Sequence, residues 1–526
     1  MKKDVLFNTE RVIAGVNKVA DAIKVTLGPS GRRVMIKPDS PEFTLDGVTV
    51  ARQISLEEGS PENMGAKAIK AVAEKANEAS GDGTSTATIL CQALVNEAMV
   101  GVKAGFDPIR IKTGMEAGLK IVLENLLLHK KNLDSKEEIK QIAKVSSRDQ
   151  ATGEVLAELF NEIGKDGSVV TEDVVKVSGI WSETVPGYRL DTGFLSPYFI
   201  TKAERQEAIV EKPYVWVVGK EIGINADLLR VLELVAVSES RALVVVADDV
   251  TGEALATLIG NKMRNIIKCI AVRVPKYGEE KKDTSQDIAA FVGAKYMSEE
   301  LGDDITTVML DELGQCDRVV ATKDSTIFIK GNGKQEAIDE RIAIINKKLE
   351  DPEKSEYESK LLRDRRARLT GSVGIVKIGA ISESELKEKK YLVEDAIYAV
   401  KSALAEGIVI GGGLELWKMA EGMRDSLHFI NDAERFGFNC LLKAMQAPAE
   451  TILRNSGFSP DKILRFDEKN QGFNAATGEY GDMFKMGIID PAKVVRVGIE
   501  QSVKQAGLLI NTAAVVYEPP EDKDEK

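Results

Sequence analysis

Between about residues 187 and 371 the chain alternates strand-like and helical patterns, and on both sides of that block it is mainly helical. The β-branched runs Tyr214–Val218, Leu243–Ala247 and Cys269–Val274 are separated by helical patterns at 225–237 and 252–266. Such alternation predicts an α/β domain with a partly parallel sheet. Glycine breaks near Gly187 and Gly371 bracket the block like paired hinges. A domain inserted in this way hangs on two crossing strands and can swing as a rigid body. The last block resembles the first in its helical pattern and is expected to pack against it. At 526 residues the chain is too long for one core, and at roughly 100–200 residues per domain it should hold about three. We therefore expect a multi-domain α and α/β protein. Residues 1–130 and 405–517 form a mainly helical domain, 131–186 and 372–404 a small α+β domain, and 187–371 the inserted domain. The charged tail at 518–526 is expected to be disordered.

Composition narrows the chemistry. A net charge of −12 disfavours nucleic acid as a partner. No apolar run reaches membrane-spanning length and the first residues lack a secretory apolar segment, so no membrane partner and a cytoplasmic location are expected. The four cysteines, Cys91, Cys269, Cys316 and Cys440, are scattered without metal-like spacing. Two histidines, His129 and His428, exclude a histidine-rich metal site. Any reaction must run on carboxylates, hydroxyls and a cation.

The stretch Gly81-Asp82-Gly83-Thr84-Ser85-Thr86-Ala87-Thr88 offers these. Helical patterns precede and follow it, so it reads as a tight turn feeding a buried helix. A helix start presents unpaired N–H groups and a positive dipole end, which suits a phosphate. Asp82 would repel a bare phosphate, which argues for Mg²⁺ between the two. The same octapeptide reads equally well as a capped helix after a glycine turn. No Lys follows the second glycine, so it is not a P-loop. Earlier, residues 8–27 read as an amphipathic helix, and Phe43–Val50 as two strands around an Asp46-Gly47 hairpin turn. Residues 334–369 read as a charged, solvated helical hairpin broken at Asp351-Pro352.

Thr26-Leu27-Gly28-Pro29, Asp46-Gly47-Val48, Glu62-Asn63-Met64-Gly65 and Gly81-Asp82-Gly83-Thr84 resemble the nucleotide-site motifs of the group I chaperonins, the bacterial GroEL class. The resemblance continues in order through Leu195-Ser196-Pro197-Tyr198-Phe199, Gly252-Glu253-Ala254-Leu255-Ala256, Val393-Glu394-Asp395-Ala396, Gly411-Gly412-Gly413 and Asn474-Ala475-Ala476-Thr477. It implies an equatorial domain from both chain ends, an intermediate domain, and an apical domain at 187–371. It implies an ATPase with ATP and Mg²⁺ as cofactors, K⁺ being a second candidate cation. Thr26, Leu27, Gly28 and Pro29 would line the phosphate side, Asp82 would hold Mg²⁺, and Gly83, Thr84, Ser85 and Thr86 would donate to phosphate. Gly412 would lie against the nucleotide, Asn474, Ala475 and Ala476 would frame the base, and Asp490 would accept from a ribose hydroxyl. Asp46 and Asp395 are the acids it assigns to hydrolysis. Asp395 sits beside a hinge, so it is expected to reach the nucleotide only when that segment closes.

The same resemblance places Phe194, Tyr198, Phe199, Leu229, Leu232, Leu255 and Ile259 at an exposed apical groove for non-native client proteins and a co-chaperonin lid. It implies a homo-oligomeric ring, two stacked rings of seven subunits being the family pattern. The residues alone favour plainer roles: turn and cap work for Asn474 and Asp490, a surface acid for Asp395, buried helices at 225–237 and 252–266. Four departures stand out. Leu45 occupies the place of the usual Lys before Asp46, Ser372 that of a hinge glycine, Gly260 that of a groove valine, and the tail is acidic. Leu45 supports an alternative, a divergent paralogue with weak ATPase acting as a holdase or interaction protein. A metabolic nucleotide-dependent enzyme is disfavoured, because the middle block offers mostly aliphatics.

Overall fold

The computed structural model describes every residue except 1–3, 8, 37–41, 134, 165–166, 176, 204, 276, 352–354, 466–469 and 518–526. The acidic tail lies outside the described residues. The chain forms two compact units, one of Met1–Asn161, Thr171–Trp181 and Lys377–Lys526, the other of Glu162–Val170 and Ser182–Val376.

In the first unit α1 (Glu10–Lys24) buries Val12, Val16, Val19, Ala20 and Ile23 along one stripe. The strands Val34–Ile36 and Glu42–Thr44 pair antiparallel. The expected Asp46-Gly47 hairpin does not form. Asp46 is instead the N-cap of α2 (Gly47–Gln53), its carboxylate accepting from Val48 N at 3.1 Å and Thr49 N at 2.9 Å. Burial of Val48, Val50 and Ala51 on the core side of that short helix explains why helix wins over strand. α3 (Pro61–Ser80) crosses α1 in close contact. A Cβ on Gly15 would lie 1.8 Å from the Glu62 carbonyl oxygen, and one on Gly65 1.8 Å from that of Val12. α4 (Thr84–Lys103), α5 (Pro108–His129), α6 (Lys136–Ser147) and α7 (Gln150–Ile163) follow.

The second unit contains a sheet in the order Lys268–Arg273, Ala242–Ala247, Tyr214–Val218, Gly314–Ala321, Thr326–Gly331, Gly179–Leu190. The first three strands are parallel and the later pairings antiparallel, the partly parallel sheet that the alternation predicts. Ala242–Ala247 is buried at every position, as a parallel strand covered on both faces must be. Helices α8 (Asn225–Ala236), α9 (Gly252–Met263) and α10 (Gly278–Val292) belong to this unit, as do α11 (Gln335–Leu349) and α12 (Glu356–Leu369).

The helical pair α11–α12 is not simply solvated. Ile345, Leu362 and Leu369 are buried, and so is Arg365. Its inner charges meet α10: fully buried Asp287 accepts from Arg341 Nε at 2.8 Å and from Arg365 Nε and Nη2 at 2.8 and 3.0 Å. Asp283 accepts from Arg341, Lys348 and Arg365. A charge run on the sequence cannot tell a solvated face from one that is paired inside.

The chain returns through Ser372–Ala380 to α13 (Glu383–Glu406), α14 (Leu414–Gly422), α15 (Asp432–Ala444), α16 (Ala447–Asn455) and α17 (Ala492–Ile510). The apolar faces of α14, α15 and α17 join those of α1–α5 in one core, which runs from Val16 to Ile510, while α16 buries Ala449 and Leu453 in a smaller one. The two ends of the described chain also pair, Asp4–Leu6 antiparallel to Val515–Tyr517.

Removing Asp287 would strand two guanidinium groups beside α10. Asp287→Ala should destabilise the second unit by about 3–5 kcal/mol, measured by denaturant unfolding. A loss under about 1 kcal/mol would mean the arginines re-solvate freely.

Candidate functional site

Two left-handed glycines, Gly81 (φ 69°) and Gly83 (φ 81°), carry the chain from α3 into α4 with Asp82 between them. Gly83 is the N-cap of α4 and no side chain caps that helix, so its start can receive an anion. Beside it runs the turn after α1. Gly28 is left-handed there (φ 89°), and Asn455 Nδ2 donates to the carbonyls of Lys24 and Leu27 at 2.8 and 2.9 Å. The Thr26 hydroxyl lies 3.4 Å from Ser85 Oγ, while Pro29 is exposed. A Cβ on Gly47 would come within 2.4 Å of Ser85 Oγ. The start of α2 thus packs directly against the start of α4 at this glycine.

Three acids gather at this junction. Asp82 accepts from Gly83 N and from Ser146 Oγ, the latter at 3.4 Å. Burial pushes its carboxyl above the usual carboxylate range, and the charge of Asp46 adds to the rise. Asp395, from α13, is raised well above that range by burial, then by Asp46 and Asp82. In this structure Asp395 lies within electrostatic reach of the other two acids.

Arg148 answers part of this charge, and sequence reasoning missed it. It caps the C-terminus of α6 in a left-handed conformation (φ 57°), unusual for a residue with a side chain. Its Nη2 donates to the Thr26 carbonyl at 2.9 Å. Burial pushes its guanidinium down, while Asp395 and Asp82 pull it up. Nothing local in Ser146-Ser147-Arg148 marks it as a site residue; the fold alone brings it there.

Other expected residues are spread around the junction. Gly412 and Gly413 are left-handed (φ 69° and 72°), and their N–H groups donate to Asp490. Burial pushes Asp490 up to about 7, with Asp82 adding to the rise. Asn474 does turn work: its Oδ1 accepts from Ala476 N at 2.9 Å and Thr477 N at 3.4 Å. Ala475 is buried in a small core with Trp417, Phe473 and Met483, whereas Ala476 is exposed. Thr84 is buried, and Ser85 and Thr86 are partly accessible.

The donor set fits a magnesium–phosphate group. Desolvated carboxylates face one guanidinium, an excess of negative charge that a divalent cation relieves. Among the described residues no three acids, histidines or cysteines stand close enough to hold a metal by themselves. A hard cation here would take further oxygens from phosphate and water, as Mg²⁺ does.

In the second unit the expected apolar groove needs correction. Phe199 is fully buried and Leu232 only 8% exposed, both in the sheet core. Tyr198 and Leu229 do face solvent, at 65% and 57%. Phe194, Leu255 and Ile259 pack partly against the core. A Cβ on Gly260 would meet open space.

A helical body built from both chain ends, an inserted α/β unit and an acid cluster at a glycine-flanked helix start define a chaperonin-type architecture. The chain belongs to the TCP-1/cpn60 chaperonin family, whose model matches residues 19–520. A crystal structure of the chaperonin gp146 from the bacteriophage EL 2 (Pseudomonas aeruginosa), determined in the presence of ATP-BeFx, has the same fold. The TM-score is 0.69 at 21% identity, over 97% of this chain and 98% of that one.

The raised acids make a pH prediction. A carboxyl whose pKa lies near 7 in the folded chain and about 3.9 unfolded holds an extra proton when folded between those values. It therefore adds stability at low pH that is lost as pH rises towards about 7. The stability of wild type minus Asp490→Asn, measured by denaturant midpoints, should fall from pH 4 to pH 7 and flatten above. A pH-independent difference would give Asp490 an ordinary carboxylate pKa.

Proposed function

We propose that this chain is an ATP-dependent protein-folding chaperonin subunit. It captures non-native polypeptides on the second unit and encloses them in a ring cavity under control of ATP binding and hydrolysis. The observation that carries the reading is the gathering of Asp46, Asp82 and Asp395 at the uncapped start of α4. Mg²⁺, when bound, supplies neutralisation of phosphate charge and orientation of the terminal phosphoryl group. Asp82 is the residue that would hold it. The start of α4, with Thr84, Ser85 and Thr86, donates to phosphate oxygens, and Thr26 to Pro29 flank them. Asp46 and Asp395 orient a water and accept its proton. Burial pushes the Asp395 carboxyl upward, towards the neutral range where a general base works best. Gly412, Ala475 and Asp490 border the nucleoside end.

Support for capture comes from Tyr198 and Leu229, exposed beside the partly buried Leu255 and Ile259. An apolar groove attracts non-native segments without sequence selectivity. We extend the proposal to a homo-oligomeric ring with a co-chaperonin lid in the cytoplasm. The proposal includes equatorial, intermediate and apical domains with the boundaries expected above.

Asp395→Ala should slow phosphate release from ATP with Mg²⁺ by about 10²–10⁴-fold while nucleotide still binds. Equal turnover in the two proteins would remove Asp395 from the mechanism.

Leu45 favours a second reading, a divergent chaperonin with weak ATPase that holds rather than folds its clients. An aliphatic side chain stands next to the capping acid, where a lysine would meet phosphate. In that case Leu45→Lys should raise nucleotide affinity or turnover severalfold, read by titration calorimetry and phosphate release. No gain in either would count against it.

A further inference from the structure

Four side chains along one face of α13 meet the turns around the acid cluster. Ser402 Oγ donates to the Ser80 carbonyl at 2.9 Å. The ring of Tyr398 would come within 2.3 Å of a Cβ on Gly81. Asp395 stands with Asp46 and Asp82, and Glu388 accepts from Arg33 Nε at 2.7 Å. Counted from Glu388, these positions fall about two, three and four helical turns along, which is one stripe of an α-helix.

Arg33 is tied to the turn that carries Thr26 to Pro29. Arg32 N donates to the Val25 carbonyl at 2.7 Å and Gly31 N to that of Gly28 at 3.0 Å, closing the loop. Arg33 then leads into the strand Val34–Ile36. The pair thus joins α13 to that turn on the far side of Asp395 from Tyr398 and Ser402. It also opposes a force. Asp395 is repelled by Asp46 and Asp82, so the acid that α13 delivers pushes α13 away.

We propose that Arg33 and Glu388 are positioning residues for hydrolysis, an ionic clasp that seats the N-terminal half of α13 and holds Asp395 in place against like charge. The proposal rests on the ATPase reading above. The side chains are 57% and 24% exposed, so the clasp is weak and salt-sensitive. A weak clasp is one that can open in each cycle.

The test uses the full-length protein as Arg33→Ala, Glu388→Ala and the exchange variant carrying both Arg33→Glu and Glu388→Arg. Phosphate release is measured at low and high salt, and amide hydrogen exchange across residues 383–395 without nucleotide. Each single variant should lower kcat about two- to fivefold at low salt, leave KM for ATP unchanged, and speed exchange across that segment. The gap from wild type should close at high salt, and the exchange variant should recover kcat and protection. A purely structural contact would not give a kcat loss restored by reversing the charges. Single variants that match wild type in kcat and exchange, or an exchange variant no better than the singles, overturn the clasp alone. A wild type that releases no phosphate overturns the ATPase reading and the clasp together.

Discussion

Repulsion among Asp46, Asp82 and Asp395 is the constraint that the first unit is built to contain. Like charges repel more strongly in a low-dielectric interior than in water, and burial adds its own cost to each carboxylate. The chain meets it with the positive start of α4, with hydrogen bonds to Asp46 from Val48 and Thr49, and with Arg148. These donors offset the burial only in part, so Asp82 and Asp395 are pushed upward by burial first and by the neighbouring acids second. A site in that state favours a cation-bearing ligand over a bare anion. The same charge that disfavours free phosphate therefore favours its magnesium complex.

Much of this framework is written in periodicity. The strand Tyr214–Val218 appears with the expected bounds, and the helices at 225–237 and 252–266 are only slightly shorter than their patterns. Asp46 was harder, because Asp-Gly between β-branched residues carries the local signature of a hairpin. What decides for helix is long-range: Val50 and Ala51 are buried at the α1–α3–α4 core, and the aspartate satisfies two N–H groups. Arg148 and Arg33 are not legible at all. Each earns its place from a partner far away in sequence, Thr26 for one and Glu388 for the other.

The groove shows where resemblance and local physics part. In α8 the residues Leu228, Val231, Leu232 and Val235 recur at i, i+3, i+4 and i+7, and all four are buried. Leu229 is a single step from Leu228, about 100° round the helix, and points out. Spacing alone places Leu232 inward, so the width of that helix comes from one buried stripe plus Leu229. Tyr198 and Phe199 divide in the same way within one turn of 3₁₀-helix, Tyr198 outward and Phe199 into the sheet core. The apolar surface left for a client is smaller than the sequence pattern suggests, and Gly260 leaves its rim open.

Leu45 takes on meaning from where the cations stand. A lysine beside Asp46 would travel with the capping turn of α2 and be present in every state of the site. Without it, positive charge comes from Arg148, at the end of α6, and Arg33, after the loop that follows α1. Those two guanidinium groups lie close enough for Arg33 to push the Arg148 charge down, so each needs an acid to hold it. Arg33 has Glu388 and Arg148 has Asp395 with Asp82, and both Glu388 and Asp395 ride on α13. Both guanidinium groups are therefore held by acids of the same helix that brings the third acid. With leucine at position 45, charge balance around the acids depends on the docking of α13, which ties that balance to conformation within a single unit.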